Sequence, residues 1–500
     1  MAGKRCIIPV PRGRALIWAA AVLALLLAAS GFFAFRGRDG GAAYVPPMLP
    51  REDSLDQYAV TLRLNPEEHT VSITETIRFT NRTGETLDTI ALRTWLNAFE
   101  TEETSPASLN EIYEKCYPEG FSPGGLALYD VKWRGEAVAY EYGNGDKTAL
   151  VLRVPPIKDG ETGEIFLRCV AWIPHCAYRT GWMGQDWQLG NVIPLLSRYE
   201  DGTWRTDTYS PVGDPFVSDC ADFEITAFLP DGCVPCCSAL LKQDESGAWR
   251  GGIRAARDAA LCVSPDYQVA RGAAAGTPVY AYAKDEAGAK RALASAEKAL
   301  ETFAGLFGPY PYPSLSVCSA YFPFGGMEYP ALCLISGETF RESEADTLDL
   351  TVAHETAHQW FYGLVGSDQA REPWQDEALC EYAMLRYVRA RYGQGSFETL
   401  KYYRVDMPMR ENIPGSLTPA SPIDYFDSLA DYSAVVYGRG AALVLALDQM
   451  LPGGVDAFLK AYTEAFAYGY ASRARFEAFL NRYAGQDLSP LLLDYLDTAM

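Results

Sequence analysis

Histidine is scarce in this chain, which has only 4 among 500 residues. Two of them, His354 and His358, are four positions apart, whereas His69 and His175 are isolated and are expected to be structural or exposed. Basic residues are also in deficit, because 43 Lys and Arg stand against 64 Asp and Glu and give a formal net charge of -21. Nucleic acid would be repelled by that charge, so the composition argues against a nucleic-acid partner.

Paired Cys-x-x-Cys motifs with the spacing of a zinc ribbon are absent, although the chain has 12 cysteines. The densest group is Cys233, Cys236 and Cys237, and no histidine lies near it in the sequence. Three interpretations of this group stay open, namely buried unpaired thiols, a disulfide within the region, or a metal site. Cysteine usage therefore does not fix the redox compartment.

Only one apolar run is long enough to cross a bilayer as a helix, and it covers residues 15–35. More basic residues precede this run than follow it, which predicts a cytoplasmic N-terminus and an extracytoplasmic remainder. The sequence thus predicts a single-pass protein of the cell membrane, with a cytoplasmic tail at 1–14, a transmembrane signal-anchor helix at 15–35 and a linker at 36–53. A cleaved signal peptide is the alternative, because Ala28-Ala29-Ser30 offers small residues for cleavage.

Periodicity divides the remaining chain into a β-rich part and a mainly helical part. In Tyr58–Leu64 and Val71–Phe79, apolar residues alternate with polar or small ones, as expected for two half-buried strands. In the second half, apolar residues recur with helical spacing. We therefore predict an α+β multidomain fold, with an all-β, sandwich-like domain at 54–275 and a mainly α domain at 276–500.

The sequence His354-Glu355-Thr356-Ala357-His358 lies in a stretch with helical spacing, which predicts a helix over Leu348–Leu364. Residues four apart share one face of a helix, so both imidazoles can reach one zinc ion. Glu355 lies beside that face, where it can act as a general base toward a water molecule. With 4 histidines in 500 residues, the chance expectation for this pattern is about 0.004 or less.

A catalytic zinc ion usually has three protein ligands, and Glu377 is the candidate for the third. It follows His358 with 18 residues between them, which leaves room for one helix to end, a loop to turn and a second helix to present the carboxylate. Glu381, one helical turn later, is a weaker candidate for orienting a ligating histidine. The sequence therefore predicts one Zn²⁺ per chain, bound by His354, His358 and Glu377.

The stretch Val352–Tyr382 resembles the aminopeptidase N and leukotriene hydrolase family of gluzincin metallopeptidases. Gly325-Gly326-Met327-Glu328 is similar to that family's Gly-x-Met-Glu-Asn motif, and Asp431–Gly440 is similar to its tyrosine motif. The resemblance extends over residues 55–500 and implies a thermolysin-like catalytic domain behind an N-terminal β domain.

The resemblance also implies roles for individual residues. Tyr437 would donate a hydrogen bond to the oxyanion that develops on the peptide carbonyl. Glu328 would bind the free α-amine of the substrate, which favours an exopeptidase. Gly325, Gly326 and Met327 would complete the substrate-binding motif, with the glycine backbone hydrogen-bonding the peptide as an added strand.

The chain departs from the family pattern at several points. Tyr329 replaces the usual Asn after Glu328, and Arg439 replaces the usual Lys of the tyrosine motif. The family takes a second amine-binding residue from its N-terminal domain, and here the choice between Gln185 and Gln188 stays open. Only 63 residues follow Tyr437, so the family's large C-terminal helical domain is expected to be missing. This predicts a more open cleft, or closure by a partner or a second copy.

These observations predict a zinc aminopeptidase that releases N-terminal residues from peptides outside the cytoplasm. A membrane-anchored endopeptidase or processing peptidase of the same fold is the alternative enzyme. A non-catalytic, membrane-tethered interaction module is the alternative of a different class. The presence of every ligand and of the general base favours an enzyme, while the oligomeric state stays open.

Overall fold

The computed structural model describes residues 55–323, 325–410 and 416–499 of the chain. The predicted cytoplasmic tail, transmembrane segment and linker lie outside these residues. Within the described ranges, no helix combines the length and the apolar character needed to span a bilayer. The described chain is β-rich in its first half and mainly helical in its second, which confirms the predicted division.

Alternating burial explains the first two strands. β1 (Asp56–Asn65) and β2 (Thr70–Thr80) pair antiparallel, and alternate side chains along each of them are buried. The strands predicted at Tyr58–Leu64 and Val71–Phe79 are thereby confirmed. The remaining strands are β3 (Leu87–Arg93), β4 (Gly125–Trp133), β5 (Glu136–Ala137), β6 (Tyr140–Tyr142), β7 (Ala149–Ile157), β8 (Thr162–Trp172), β9 (Thr180–Met183), β10 (Asp186–Leu189), β11 (Leu195–Leu196), β12 (Tyr199–Glu200), β13 (Thr203–Trp204), β14 (Ala221–Phe228), β15 (Val234–Cys237), β16 (Lys242–Gln243), β17 (Trp249–Ala256), β18 (Leu261–Ser264), β19 (Gln268–Ala274), β20 (Thr277–Ala283), β21 (Leu315–Ala320), β22 (Gly326–Tyr329) and β23 (Leu332–Ser336).

An eight-stranded sheet with the order β16-β17-β14-β1-β2-β8-β4-β5 is the largest sheet of the β-rich half. Two four-stranded sheets, β15-β18-β10-β9 and β11-β3-β7-β6, and the pair β12-β13 accompany it. A further sheet, β19-β20-β21-β23-β22, leads into the helical half, and the predicted boundary between residues 275 and 276 falls in the turn between β19 and β20. In this sheet β22 is an edge strand, paired antiparallel with β23.

Helices dominate after β20. The α-helices are α1 (Tyr113–Cys116), α2 (Glu286–Phe307), α3 (Ala345–Ala357), α4 (Trp374–Tyr392), α5 (Gln394–Lys401), α6 (Leu429–Tyr432), α7 (Gly440–Leu447), α8 (Gly454–Phe466), α9 (Arg473–Ala484) and α10 (Ser489–Leu496). Two π-helical segments, Tyr402–Asp406 and Ser433–Arg439, extend α5 and α6, and short 3₁₀ turns occur at Trp95–Glu100, Pro106–Ser108, Gly337–Phe340, Glu342–Glu344, Pro408–Arg410 and Ile423–Tyr425.

The helix that carries the two adjacent histidines is shorter than predicted. α3 ends at Ala357, so the prediction of a helix to Leu364 is wrong at that end, and His358 is the first residue beyond it. Beyond the helix, backbone hydrogen bonds join residues that are five positions apart. Gly363 N–H donates to the carbonyl of His358, and Leu364 N–H donates to the carbonyl of Gln359. The apolar pattern continues past the helix because this loop is itself buried.

The buried side chain of Arg257 joins the two halves of the described chain. Its guanidinium donates hydrogen bonds to the carbonyls of Ser218, Tyr362 and Gly469, which come from the β-rich half, the loop after α3 and the loop after α8. Gly366 leaves room for it, because a Cβ atom at that position would lie 2.4 Å from Cζ of Arg257. One cation therefore binds carbonyls from three separate parts of the chain.

Candidate active site

The side chains of His354, His358 and Glu377 converge at one point. His354 is on α3, His358 directly follows α3, and Glu377 is on α4. Nε2 of His354 lies 3.1 Å from Nε2 of His358 and 3.2 Å from Oε2 of Glu377. The third distance, from Nε2 of His358 to Oε2 of Glu377, is 3.3 Å. Ligands bound tetrahedrally to zinc at about 2.0–2.1 Å lie about 3.3 Å apart, so the three donors fit one such ion. The structure thus brings together all three residues predicted as ligands.

The local fold explains why these atoms meet. His354 is in the last turn of α3 and His358 directly follows it, while Glu377 is in the first turn of α4. Two imidazoles and one carboxylate, all buried, form the donor set of a catalytic zinc ion, which leaves a fourth position for water or substrate. Two Nε2 atoms facing one another at 3.1 Å need a cation or a proton between them, because both carry lone pairs when each histidine has its proton on Nδ1.

A carboxylate lies near the other ring nitrogen of each of these two histidines. Nδ1 of His358 donates to Oδ1 of Asp376 at 2.7 Å, and Nδ1 of His354 lies 3.8 Å from Oε2 of Glu381. Arg404, in the first π-helical segment, holds Glu381 through two hydrogen bonds of 2.8 and 2.7 Å. A carboxylate that accepts from this nitrogen, as Asp376 does from His358, fixes the tautomer and the ring orientation of a metal-binding histidine. Glu381 was predicted as an orienting residue, whereas Asp376 and Arg404 were not foreseen.

Burial and local charge perturb the acid–base properties of the ligands. Burial alone raises the pKa of Glu377, but hydrogen bonds from His354 and His358 outweigh it and keep that pKa well below the usual range. Burial lowers the pKa of His354, which favours the neutral imidazole that a metal requires. For His358, the carboxylate of Asp376 outweighs burial and raises the pKa. Because the pKa of Glu377 is lowered, its carboxylate is ionised at neutral pH.

Glu355 and Glu328 face the same space as His358. One carboxylate oxygen of each glutamate and a ring nitrogen of His358 all lie within 4.8 Å of one another. Burial raises the pKa of Glu355 well above its ordinary value and that of Glu328 to about 7. Elevated carboxyl pKa values of this kind suit groups that accept and release protons near neutral pH.

The close approach of Glu355 to β22 depends on a glycine. A Cβ atom on Gly326 would lie 2.5 Å from Cγ of Glu355, a distance that real structures do not tolerate. Gly325, the preceding residue, has φ +38°, which glycine adopts most easily. Gly325, Gly326, Met327 and Glu328 thus bring the edge strand β22 against the zinc-binding helix, with Glu328 buried beside the predicted general base.

Tyr437 reaches the same centre from the second π-helical segment, Ser433–Arg439. Its ring stacks on that of His354, with centroids 5.5 Å apart and an interplanar angle of 23°. Burial and the negative charge of Glu377 raise the pKa of Tyr437 well above its ordinary value. The phenol therefore stays protonated and can donate a hydrogen bond. The structure therefore places Tyr437 beside His354, one of the predicted zinc ligands.

The two glutamines considered for a second amine-binding role do not present free groups to this centre. Gln188 is buried, and its carboxamide both accepts from Tyr321 N–H and donates to Tyr321 O, each at 2.8 Å. Gln185 is exposed on the turn between β9 and β10. The remaining histidines lie elsewhere, with His69 and His175 stacked on Trp182.

Two residues missed by the sequence analysis interact with Glu328, Asp214 through its charge and Gln369 through a hydrogen bond. Asp214, in a loop of the β-rich half, is buried and paired with Arg179 at 2.5 Å. Burial raises its pKa to about 7, with a further contribution from the charge of Glu328. Gln369, in the loop between α3 and α4, donates to Asp376 at 2.5 Å and to Glu328 at 3.4 Å. No local motif marks either residue, because long-range packing brings both loops to the site.

Known proteins match part of the chain in sequence. Residues 291–495 match the family model described as "Peptidase family M1 domain". Leukotriene A-4 hydrolase from Xenopus laevis is 29% identical over 202 residues, which cover 38% of this chain and 32% of that protein. Aminopeptidase M1-B from Oryza sativa subsp. japonica is 30% identical over 222 residues, which cover 41% of this chain and 25% of that protein. The matched region thus spans a quarter to a third of these relatives.

Solved structures extend the likeness to the whole described fold. The crystal structure of an M1 zinc metallopeptidase from Deinococcus radiodurans aligns with a TM-score of 0.64 and 18% identity, over 89% of this chain and 94% of that chain. The shared fold includes the β-rich half as well as the helices. Residues 291–495 therefore match the domain of peptidase family M1, and the predicted resemblance of the chain to the aminopeptidase N and leukotriene hydrolase family is confirmed.

Proposed function

We propose that the protein is a zinc aminopeptidase that removes N-terminal residues from peptides. The observation that carries this proposal is the placement of a buried carboxylate, Glu328, within 4.8 Å of Glu355 and of His358. That arrangement puts an anionic group for a substrate amine next to a general base and a metal-binding triad. The names of the relatives, among them aminopeptidase M1-B and aminopeptidase B, agree with this activity.

The ligands and the base have separate tasks in this mechanism. A zinc ion held by His354, His358 and Glu377 would polarise the peptide carbonyl and lower the pKa of a water molecule at its free position. Glu355 accepts the proton from the attacking water and passes it to the leaving amine. Its raised pKa supports this second step, because a carboxyl group that holds a proton near neutral pH can also donate it.

Tyr437 acts on the carbonyl oxygen of the substrate. Negative charge grows on this oxygen as water attacks, and a phenol that stays protonated can donate a hydrogen bond to it. The stacking of Tyr437 on His354 fixes the ring before the substrate arrives. Removal of one such donor typically slows catalysis by about 10²–10³-fold.

Glu328 and β22 orient the substrate. The edge position of β22 leaves one side of this strand available for an extended peptide, which can add to the sheet through backbone hydrogen bonds. Glu328, at the third position of the strand, then lies where the chain of the peptide begins. A charged α-amine gains an ion pair there, whereas a mid-chain amide leaves the carboxylate unpaired, and this difference favours an exopeptidase.

The setting of the domain is a further part of the proposal. We infer a thermolysin-like catalytic domain at 276–500 behind a β domain at 54–275, anchored to the cell membrane by the segment 15–35, with the catalytic part outside the cytoplasm. The apolar run and its basic flank support the anchor. An endopeptidase or a processing peptidase of the same fold is the second candidate, since an edge strand can also bind the middle of a peptide.

Two paired assays test the proposed function. Glu355→Gln is expected to keep zinc bound while kcat falls about 10²–10⁴-fold, because the general base is lost. Glu342→Gln, at an exposed glutamate, serves as the control and should change neither. Free and N-acetylated forms of the same fluorogenic aminoacyl peptides are then compared on the wild-type protein. Equal turnover of the two forms would exclude the aminopeptidase, and full activity of the Glu355 variant would exclude the mechanism.

A further inference from the structure

Gln369 has an unusual hydrogen-bonding state for a buried side chain. It is only 2% exposed, in the loop between α3 and α4. Its Nε2 donates to Oδ2 of Asp376 at 2.5 Å and to Oε1 of Glu328 at 3.4 Å. Its Oε1 has no hydrogen-bond partner among the described residues. A buried polar atom without a partner costs free energy in the ligand-free protein, which is why such atoms are uncommon.

The orientation of this carboxamide follows from its neighbours. Oδ2 of Asp376 and Oε1 of Glu328 both accept from the NH₂ group of Gln369, because an unprotonated carboxylate oxygen offers only an acceptor. Rotating the carboxamide by half a turn would place its oxygen against both carboxylates and lose both hydrogen bonds. The unpaired Oε1 is therefore the end of the side chain that has no carboxylate next to it, in the same buried region as Glu328.

We propose that Gln369 is a substrate-positioning residue that holds Glu328 and accepts a hydrogen bond from the α-ammonium group of the substrate. This inference rests on the proposed aminopeptidase function. An ammonium group has three N–H donors, and one carboxylate satisfies them incompletely. Oε1 of Gln369 supplies a neutral acceptor beside the anionic one, so amine binding removes the unpaired state of this oxygen.

A carboxamide suits this position better than other side chains of its size. The centre already holds the carboxylates of Glu328, Glu355 and Asp376, and another anion would be repelled. A cation would pair with Glu328 and compete with the substrate amine. The carboxamide of Gln369 donates on one side and accepts on the other without adding charge. Through Asp376, which accepts from His358, the same side chain also connects amine recognition to a metal ligand.

The test measures how strongly the protein prefers a ligand with a free amine. In a zinc-loaded Glu355→Gln background, which prevents turnover, the dissociation constants of L-leucinamide and of its des-amino analogue 4-methylpentanamide are compared. We expect Gln369→Met to reduce the ratio of these constants about tenfold or more, since a hydrogen bond to a charged group is lost. Gln369→Ala, which leaves space for water, is the second variant if the methionine variant does not fold.

Gln375 provides a matched control. It is also 2% exposed, its Nε2 also makes two hydrogen bonds, to Tyr462 and Ala471, and its Oε1 is also without a partner among the described residues. Gln375→Met should therefore affect stability as much as Gln369→Met while leaving the amine preference unchanged. An unchanged preference in both Gln369 variants would overturn this assignment alone. A background protein that binds both amides equally would overturn the aminopeptidase proposal and this assignment together.

Discussion

Glu75, on β2, is the most informative site for a stability measurement. Its side chain is fully buried, and neither carboxylate oxygen has a hydrogen-bond partner among the described residues. It pairs across the sheet with Val60 and Leu167, which offer no polar atoms from their side chains. The titratable neighbours are Tyr58 and Cys169, and burial raises the pKa of both, so neither carries charge between pH 5 and 8. Burial accordingly raises the pKa of Glu75 well above its ordinary value.

The direction of the pH effect follows from proton linkage. In the unfolded chain a glutamate has a pKa of about 4.3, whereas folded Glu75 has a higher pKa and keeps its proton to higher pH. The favourable contribution of Glu75 is complete below the unfolded pKa and is lost as the pH rises toward the folded pKa. Between the unfolded and the folded pKa of Glu75, the free energy of unfolding falls by up to about 1.4 kcal/mol per pH unit.

Glu75→Gln removes this proton while keeping the size of the side chain. We expect the free energy of unfolding of the variant, relative to wild type, to rise by up to about 2.7 kcal/mol between pH 5.5 and 7.5. Urea unfolding of zinc-loaded protein, followed by tryptophan fluorescence at several pH values, measures the difference, and pH effects on zinc binding cancel between the two proteins. Glu164→Gln, at an exposed position of β8, is the control, with an expected effect below about 0.5 kcal/mol. Parallel pH profiles for Glu75→Gln and wild type would refute the reasoning.

Two further predictions concern the metal centre. Arg404→Met should lower zinc affinity about tenfold in a chelator competition, because Glu381 loses the guanidinium that holds it. Arg386→Met, which breaks a half-buried ion pair between α4 and α8, should leave zinc affinity unchanged. Equal affinities for the two variants would contradict this role of Arg404. Gly326→Ala should keep zinc but lower kcat about 100-fold, because the added Cβ displaces Glu355, and turnover at the wild-type rate would show that the close approach is unimportant.

The predictions that succeeded were mostly based on patterns among residues close together in the sequence. The alternation in β1 and β2 is a property of neighbouring residues, so it identified both strands. The spacing of His354 and His358 marked both as candidate ligands for the same reason, and the separation of 18 residues marked Glu377 as the third candidate. The helix end at Ala357 was misplaced because Trp360 and Phe361 are as buried as helix residues, although they lie in a loop.

Features that depend on long-range packing were not predictable in the same way. Asp214 comes from a loop more than a hundred residues before Glu328, and only the assembled fold brings the two carboxylates together. Gln369 lies between the zinc-binding helices, but nothing in its neighbours indicates that its carboxamide faces Glu328. The ion pair between Arg404 and Glu381 depends on a π-helical turn, which has no clear periodic signature in a sequence.

The three hydrogen bonds of Arg257 limit how the molecule can move. A hinge that swung the β-rich half away from the helices would break its bonds to Tyr362 and Gly469, each worth about 1.5–3 kcal/mol when the donor is charged. Arg257 would keep only its bond to Ser218, so an open form of this kind would be rarely populated. Both halves should consequently behave as one rigid block, and the cluster around His354 and Glu328 should keep its shape whether or not a ligand is bound.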